Sequence, residues 1–184
     1  MKAPLDISFS ELSETALPLP SFFSAWLTRN SPEGIQLDSF YLENEDFVVW
    51  RFTGGKETAG PPGYCHGGFL ASLIDECMGS CGIWKGIYLM AVNLEVSYKK
   101  AVETGKTMFC TCRITNIVSR KVSAEGWITD NSQKIFVYAR GTYLSVNTQI
   151  LKEHPPGLLA FEKYKKLLEQ GYPIREILEK LWSE

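Results

Sequence analysis

The length and composition of the chain exclude several classes of protein. Its 184 residues are 45% hydrophobic and 22% charged, and the formal net charge is −2. This is ordinary usage for one globular domain; it excludes disordered and collagen-like chains and argues against binding to duplex nucleic acid. No run reaches the ~18 apolar residues of a membrane-spanning helix. The first residues lack the pattern of a secretory signal, so we expect no leader and no membrane span.

The numbers of cysteines and histidines limit which redox compartment and which metal sites are possible. Five cysteines are spread along the chain. An odd number of them without a signal predicts reduced thiols in a cytoplasmic protein. The only two histidines, His66 and His154, are too few for a His-rich metal site. We therefore expect neither a metal ion nor another cofactor.

The elements predicted in chain order begin with an N-terminal extension, 1–39, that contains a short amphipathic helix over Ser21–Arg29. A strand is predicted over Phe40–Phe52, and a loop rich in Gly and Pro follows over Gly54–Gly63. The next twenty residues, 63–82, are typical of one mostly buried helix.

After this helix the hydrophobic period changes from 3.6 to 2, which indicates strands. Four strands joined by short turns are predicted: Tyr88–Tyr98, Lys106–Val118, Val122–Thr129 and Lys134–Val146. Short connections favour an antiparallel meander, and the preceding helix is the apolar helix available to cover one of its faces. We therefore predict an α+β fold over 40–146, an antiparallel sheet wrapped around one long central helix. Two amphipathic helices after Pro156 form a C-terminal appendage, 147–184, that either covers a sheet edge or acts as a substrate lid.

The two faces of the central helix differ in character. At 100° per residue, its core side carries Phe69, Leu70, Leu73, Ile74, Cys77 and Cys81. The opposite side carries small residues and one carboxylate: Gly68, Ala71, Ser72, Asp75, Gly79 and Gly82. A solvated helix face normally carries Lys, Glu and Arg, because glycine costs about 1 kcal/mol in a helix interior. Either another chain or a ligand approaches this face, or Asp75 merely faces water.

The triplet His66-Gly67-Gly68 stands where this helix begins. The first N–H groups of a helix have no internal partner, and glycine lets a ligand atom approach them closely. Such donors suit a carbonyl oxygen that becomes an oxyanion. His66 is placed to bind substrate or orient water, or else it is only a helix cap.

The sequence gives little support to other catalytic mechanisms. Cys65 is adjacent to His66, but adjacent side chains rarely point at each other, so we do not expect a Cys–His nucleophile. The other thiols are expected to be buried structural residues: Cys77, Cys81, Cys110 and Cys112. Four basic residues lie at strand ends and turns, where they are either solvated or in contact with a phosphate-bearing ligand: Lys99, Lys100, Arg120 and Lys121.

One family shares these features. The stretch GPPGYCHGGFLASLIDECMGSCG followed by AVNLEVSYKKAV resembles the hotdog-fold acyl-CoA thioesterases, above all the phenylacetate-pathway type and its mammalian mitochondrial relatives. The resemblance runs from about Phe40 to Val146 and includes VETGKTMFCTCRI and YARGTYLSV. It agrees with the order of strand, helix and strands predicted above.

The resemblance also implies roles for particular residues. The oxyanion donor falls on the N–H of Gly67 and the essential carboxylate on Asp75. In that family the site lies between two protomers, which implies a homodimer or a dimer of dimers. Coenzyme A would lie on the surface with its phosphates near the four basic residues, and Gly68 and Asn93 are further candidates for substrate binding. The chain departs from the family at Ala91, where a Ser or Thr often holds the catalytic water, and at Gly60, where some relatives carry Asn or Gln.

The function predicted from the sequence is hydrolysis of acyl-CoA to a free acid and coenzyme A, a reaction of lipid metabolism. Asp75 would act as general base on water or attack directly, and His66 would assist. The alternative is an acyl-CoA-binding or regulatory hotdog protein without catalysis. A hydratase of this fold is disfavoured, because no histidine follows Asp75 before His154.

Overall fold

The structure is a computed structural model that describes residues 17–18, 34–153 and 156–182. The helix predicted over Ser21–Arg29 lies outside the described residues, and so does His154. The strands are β1 (Leu17–Pro18), β2 (Ile35–Leu42), β3 (Phe47–Gly54), β4 (Leu89–Tyr98), β5 (Thr107–Val118), β6 (Lys121–Thr129) and β7 (Ile135–Ser145). The helices are α1 (Gly67–Trp84), α2 (Pro156–Glu169) and α3 (Ile174–Trp182).

All described strands form one antiparallel sheet in the order β1-β2-β3-β5-β6-β7-β4. The predicted α+β fold, a sheet around one central helix with extra C-terminal helices, is confirmed. The predicted meander holds only for β5, β6 and β7, because β4 pairs with β7 and β3 pairs with β5. The reason is the linker 99–106, which does not turn back directly. It is bonded to the loop before α1 through Cys65 N–H to Val102 O (2.8 Å) and Thr104 N–H to Gly63 O (3.0 Å).

One predicted strand is two strands in the structure. Residues Phe40–Phe52 were expected to form one strand, but the chain turns at 43–46 between β2 and β3. Asp46 has a φ of 57°, a conformation that Asp adopts more readily than most residues. Its carboxylate accepts a hydrogen bond from Tyr41 Oη (3.0 Å) and pairs with Lys85 Nζ (2.8 Å). The domain boundaries at 39/40 and 146/147 stay predictions.

Small residues on the inner face of the sheet let α1 approach closely. Gly126 and Gly141 lie opposite Ala139 and Ala124 on the neighbouring strand. A Cβ on Gly126 would stand 2.6 Å from Cys112 Sγ and 3.0 Å from Met78 Cε, so no side chain fits there. Leu73, Ile74 and other apolar residues of α1 are completely buried in the resulting core.

A β-bulge changes the alternation that was predicted for β4. Ala91 pairs with Tyr143 and Asn93 pairs with Thr142, so Val92 is an extra residue on β4. Ala91 and Asn93 therefore do not share a face, contrary to the strict alternation expected. A strict alternation over Tyr88–Tyr98 predicts that Met90 faces the core and that Leu89 faces away from it. In the structure the two are reversed, because Leu89 packs against the core and Met90 is 52% exposed.

The C-terminal helices pack at the end of α1. Tyr164 on α2 is buried, and its hydroxyl donates to Trp84 O at the last residue of α1 (2.9 Å). Phe161 contacts Tyr88 edge to face, with ring centroids 5.6 Å apart. No helix in the described part of the chain is long and apolar enough to cross a membrane.

Candidate active site

The loop before α1 is held by backbone hydrogen bonds that fix His66. Its own N–H donates to Thr58 O (2.8 Å), and Gly60 N–H donates to Tyr64 O (2.9 Å). A Cβ on Gly60 would stand 3.0 Å from both Cα and Cδ2 of His66. The imidazole therefore occupies the space that a longer residue at position 60 would need.

His66 caps α1 with its side chain. Nδ1 accepts a hydrogen bond from Gly68 N–H (2.9 Å), and a Cβ on Gly68 would stand 3.0 Å from the same nitrogen. A neutral imidazole that accepts at Nδ1 carries its proton on Nε2. The exposed His66 can therefore donate a hydrogen bond outward from Nε2 while it holds the helix start.

Gly67 begins the helix next to this cap. Gly68 N–H is engaged by His66, whereas the Gly67 N–H has no acceptor among the residues that the structure describes. The carbonyl of Gly67 accepts a hydrogen bond from Tyr98 Oη (2.8 Å), and the Tyr98 ring lies beside the glycine. Tyr98 comes from the end of β4, a contact that the sequence analysis did not anticipate.

Asp75 lies on the open face of α1 and is half-buried. Its Oδ1 accepts a hydrogen bond of 2.7 Å from the hydroxyl of Tyr143 on β7. Burial, and then the charge of Asp75, raise the pKa of Tyr143 well above its usual range, so this hydroxyl stays protonated. The sequence analysis missed Tyr143, because a partner 68 residues away depends on the register of β7.

The small-residue face predicted for α1 is present with one exception, and one residue of the predicted core side is less buried than expected. A Cβ on Gly79 would meet no atom within 4 Å, so this glycine is open. Gly82 does not belong to the face, because its Cβ would stand 2.6 Å from Leu89 and Ile87 O. Phe69, expected in the core, is only half-buried, although its ring packs edge to face on Phe52.

Gly67 and Asp75 do not meet within one chain. Eight residues of α-helix separate them by about 12 Å along the axis at 1.5 Å per residue. A thioester carbonyl that accepts from Gly67 N–H therefore lies far from Asp75 of the same α1. The two groups serve one reaction only if a second copy of the chain contributes one of them.

The four basic residues form two pairs instead of one cluster. Lys99 and Lys100 follow the last residue of β4, whereas Arg120 and Lys121 lie at the β5–β6 turn, beside Ser145 and the first residue of β4. Ten residues of strand put about 30 Å between the two ends of β4. The sequence analysis also missed Lys134, which approaches Lys100 and lowers its pKa.

Asn93 and Ala91 lie on different faces of the sheet. Ala91 shares the face of its cross-strand partner Tyr143, which points toward Asp75. Asn93 lies opposite Thr142, the next residue along β7, and therefore faces the other way.

All five cysteines are buried, and all except Cys65 lie away from the N-terminus of α1. All five are free thiols. Cys77, Cys110 and Cys112 have sulfur atoms within 4.8 Å of one another in the core between α1 and β5. Burial raises the pKa of Cys77 and Cys112, so these thiols stay neutral.

Sequence comparison finds similarity between this chain and known proteins. A family model described as the thioesterase superfamily matches residues 62–136. The chain is 31% identical over 121 residues to acyl-coenzyme A thioesterase THEM4 of Mus musculus, an alignment that covers 65% of this chain and 52% of the relative. The chain thus spans about half the length of the curated relatives it matches.

Solved structures share the fold. The Escherichia coli PaaI protein from the phenylacetic acid degradation operon is 21% identical, with a TM-score of 0.55 over 62% of this chain and 81% of that chain. A Streptococcus mutans protein solved with bound acetyl-CoA is 18% identical, with a TM-score of 0.55 over 64% of this chain and 93% of that chain. These likenesses show that the chain has the hotdog fold. The sequence of residues 62–136 is similar to the thioesterase superfamily.

Proposed function

We propose that the protein is an acyl-CoA thioesterase, which hydrolyses the thioester to a carboxylic acid and coenzyme A. The observation that carries the proposal is that α1 bears both an N–H at Gly67 that has no acceptor among the described residues and a half-buried carboxylate at Asp75. The names of the relatives, acyl-coenzyme A thioesterases, support the same chemistry.

In the proposed reaction, the Gly67 N–H donates to the thioester oxygen and stabilises the negative charge that develops there. In the first route, Asp75 takes a proton from water as the water oxygen bonds to the carbonyl carbon, and the C–S bond then breaks as coenzyme A leaves with a proton. In the second route, the Asp75 carboxylate bonds to that carbon and the C–S bond breaks as coenzyme A leaves, which gives an anhydride that water then hydrolyses. His66 donates from Nε2 toward the substrate, and Gly68 supports it by holding Nδ1.

The proposed active unit is a homodimer or a dimer of dimers with the site between protomers. The separation of about 12 Å between Gly67 and Asp75 supports this arrangement, because an antiparallel second α1 brings one chain's Asp75 beside the other's Gly67. The same arrangement brings the Lys99 and Lys100 end of one β4 near the Arg120 and Lys121 end of the other. The coenzyme A phosphates would lie on these residues, with Lys134 added to them and Asn93 as a further contact.

The proposed compartment is the cytoplasm. Five free thiols agree with a reducing environment.

The test is release of thiol from a panel of acyl-CoAs by wild type and Asp75→Asn. We expect Asp75→Asn to fold and to lose about 10²–10⁴ of the rate, which is typical for loss of a general base. Tyr143 can still donate to the amide oxygen, so the surroundings of position 75 are preserved. Glu76→Gln, one residue along α1, is the matched control and should stay within about twofold of wild type.

Two outcomes contradict the proposal. If Asp75→Asn keeps more than about a tenth of the rate, the base is another group and Glu76 is tested next. If wild type binds acyl-CoA tightly and releases no thiol from any member of the panel, the protein is an acyl-CoA-binding protein.

A further inference from the structure

The described part of the chain offers Asp75 one hydrogen-bonding side chain. Tyr143 Oη donates to Asp75 Oδ1 at 2.7 Å and lies 3.4 Å from both Asp75 O and Met78 Sδ. Oδ2 has no partner among the described residues. Within the described part of the chain, the carboxylate is therefore held through one oxygen only.

Gly141 leaves the space that the Tyr143 ring occupies. Gly141 precedes Tyr143 by two residues on the same face of β7, and a Cβ there would collide with Cε2 of the ring. The absent side chain lets the ring lie flat on the sheet beneath α1, and it leaves Tyr143 only 2% exposed. A ring so enclosed keeps its hydroxyl at one place relative to Asp75.

The hydroxyl acts as a permanent donor because it does not ionise in the working range. Desolvation is the main cause of its raised pKa. The other titratable groups that act on it are the thiols of Cys112 on β5 and Cys81 on α1, and burial raises the pKa of both thiols. Glu76 is the adjacent carboxylate on α1. The Tyr143 hydroxyl thus has one carboxylate, Asp75, and two neutral thiols in its surroundings.

We propose that Tyr143 is the positioning residue of the reaction, which orients the Asp75 carboxylate so that Oδ2 meets the water or the thioester. This inference rests on the proposed function, since Tyr143 acts through Asp75 and does not itself touch the substrate.

The first test is Tyr143→Phe, which removes a single oxygen atom. We expect kcat to fall roughly ten- to a hundredfold, the effect of one hydrogen bond to a charged group, with KM within about twofold. In an Asp75→Asn background the same substitution should have no further effect, because the two residues act as a unit.

The matched control is Tyr138→Phe. Tyr138 lies on the other face of β7, where its hydroxyl contacts Glu125 and Arg140. This variant also loses a phenolic oxygen from the same strand, and it should keep the kcat of wild type. A fall in kcat for Tyr143→Phe that is equally large in the Asp75→Asn background would indicate a structural role only and would overturn the proposal.

A second measurement separates this inference from the proposed function. At one fixed pH, the chemical shift of the ¹³C carboxyl resonance of Asp75 in the free protein should differ between Tyr143→Phe and wild type and should be the same in Tyr138→Phe and wild type. If it does, but wild type hydrolyses no acyl-CoA, the function is wrong and the contact stands. If wild type is active and the chemical shift and kcat of Tyr143→Phe are unchanged, the positioning role is wrong and the function stands.

Should Tyr143→Phe fail to fold, the hydroxyl proton of Tyr143 is compared in wild type and Asp75→Asn. We expect solvent exchange of this proton to be at least tenfold slower in wild type, where it is bonded to a carboxylate. Equal exchange rates would overturn the proposal.

Discussion

At Ala91, the edge strand presents a methyl group on the face of the sheet that Tyr143 occupies. A hydroxyl at this position would lie near the Asp75 carboxylate, on the side from which water reaches it. We predict that Ala91→Ser raises kcat about two- to tenfold, the value of one hydrogen bond to the attacking water. The rates are compared on the best acyl-CoA of the panel, with thermal melting as the control for folding.

Asn93→Ser is the matched comparison, because the bulge at Val92 turns position 93 to the other face. It should show no such gain. A well-folded Ala91→Ser protein with unchanged kcat would mean that position 91 does not hold the water.

The residues that local spacing could predict are those on one continuous segment. Gly67 and Asp75 follow from the glycine pattern and the helical period, since both belong to α1. Tyr98 and Tyr143 could not be predicted, because each reaches the helix from a strand whose register is set by distant pairing. Gly60 was noted as a departure from the family pattern, yet only the structure shows that the His66 ring leaves no room for a side chain there.

The C-terminal appendage was expected either to cover the sheet or to act as a substrate lid, and the contact of α2 with the end of α1 favours one of these roles. The last carbonyls of a helix have no internal partner, and Tyr164 supplies a donor to one of them at Trp84. This end is about 27 Å from His66 and Gly67, since α1 has 18 residues at 1.5 Å each. A structural cover at this end is favoured over a lid on the catalytic groups.

We therefore predict that Tyr164→Phe lowers the free energy of unfolding by about 0.5–1.5 kcal/mol and leaves kcat and KM unchanged. The measurements are chemical denaturation and steady-state hydrolysis. Tyr172→Phe, on the exposed turn between α2 and α3, is the control and should change neither. A change of more than threefold in KM for Tyr164→Phe would support a lid.

The order of strands and helices was predictable, because the spacing of hydrophobic residues and the turn residues are local signals in the sequence. The pairing of β4 with β7 was not predictable. An eight-residue linker allows β4 to pair with β5 directly, and it also allows the chain to cross past the start of α1 so that β4 pairs elsewhere. Hydrogen bonds between the linker and residues 63 and 65 select the crossing. The bulge at Val92 has no signal in the alternating pattern, which continues through it.

At the scale of the whole molecule, β4 is an edge strand with one partner among the described strands. Its exposed side chains include Met90 (52%) and Val92 (61%), and it lacks the lysines or prolines that protect free edges within its span. The open, glycine-bearing face of α1 lies beside it. An uncovered edge and an uncovered helix face on the same side of the fold are both explained by a second copy of the chain.

We predict a light-scattering mass of at least twice 20.7 kDa at micromolar concentration. Val92→Lys should shift the protein toward the monomer, because it puts a charge on the edge that the second copy covers. It should also lower the rate of hydrolysis in proportion, since the proposed site needs groups from two chains. Leu159→Lys is the matched control, because Leu159 is also well exposed at 53% but lies on α2, away from the β4 edge. Full activity in a monomeric Val92→Lys protein would show that Gly67 and Asp75 of different chains do not form one site.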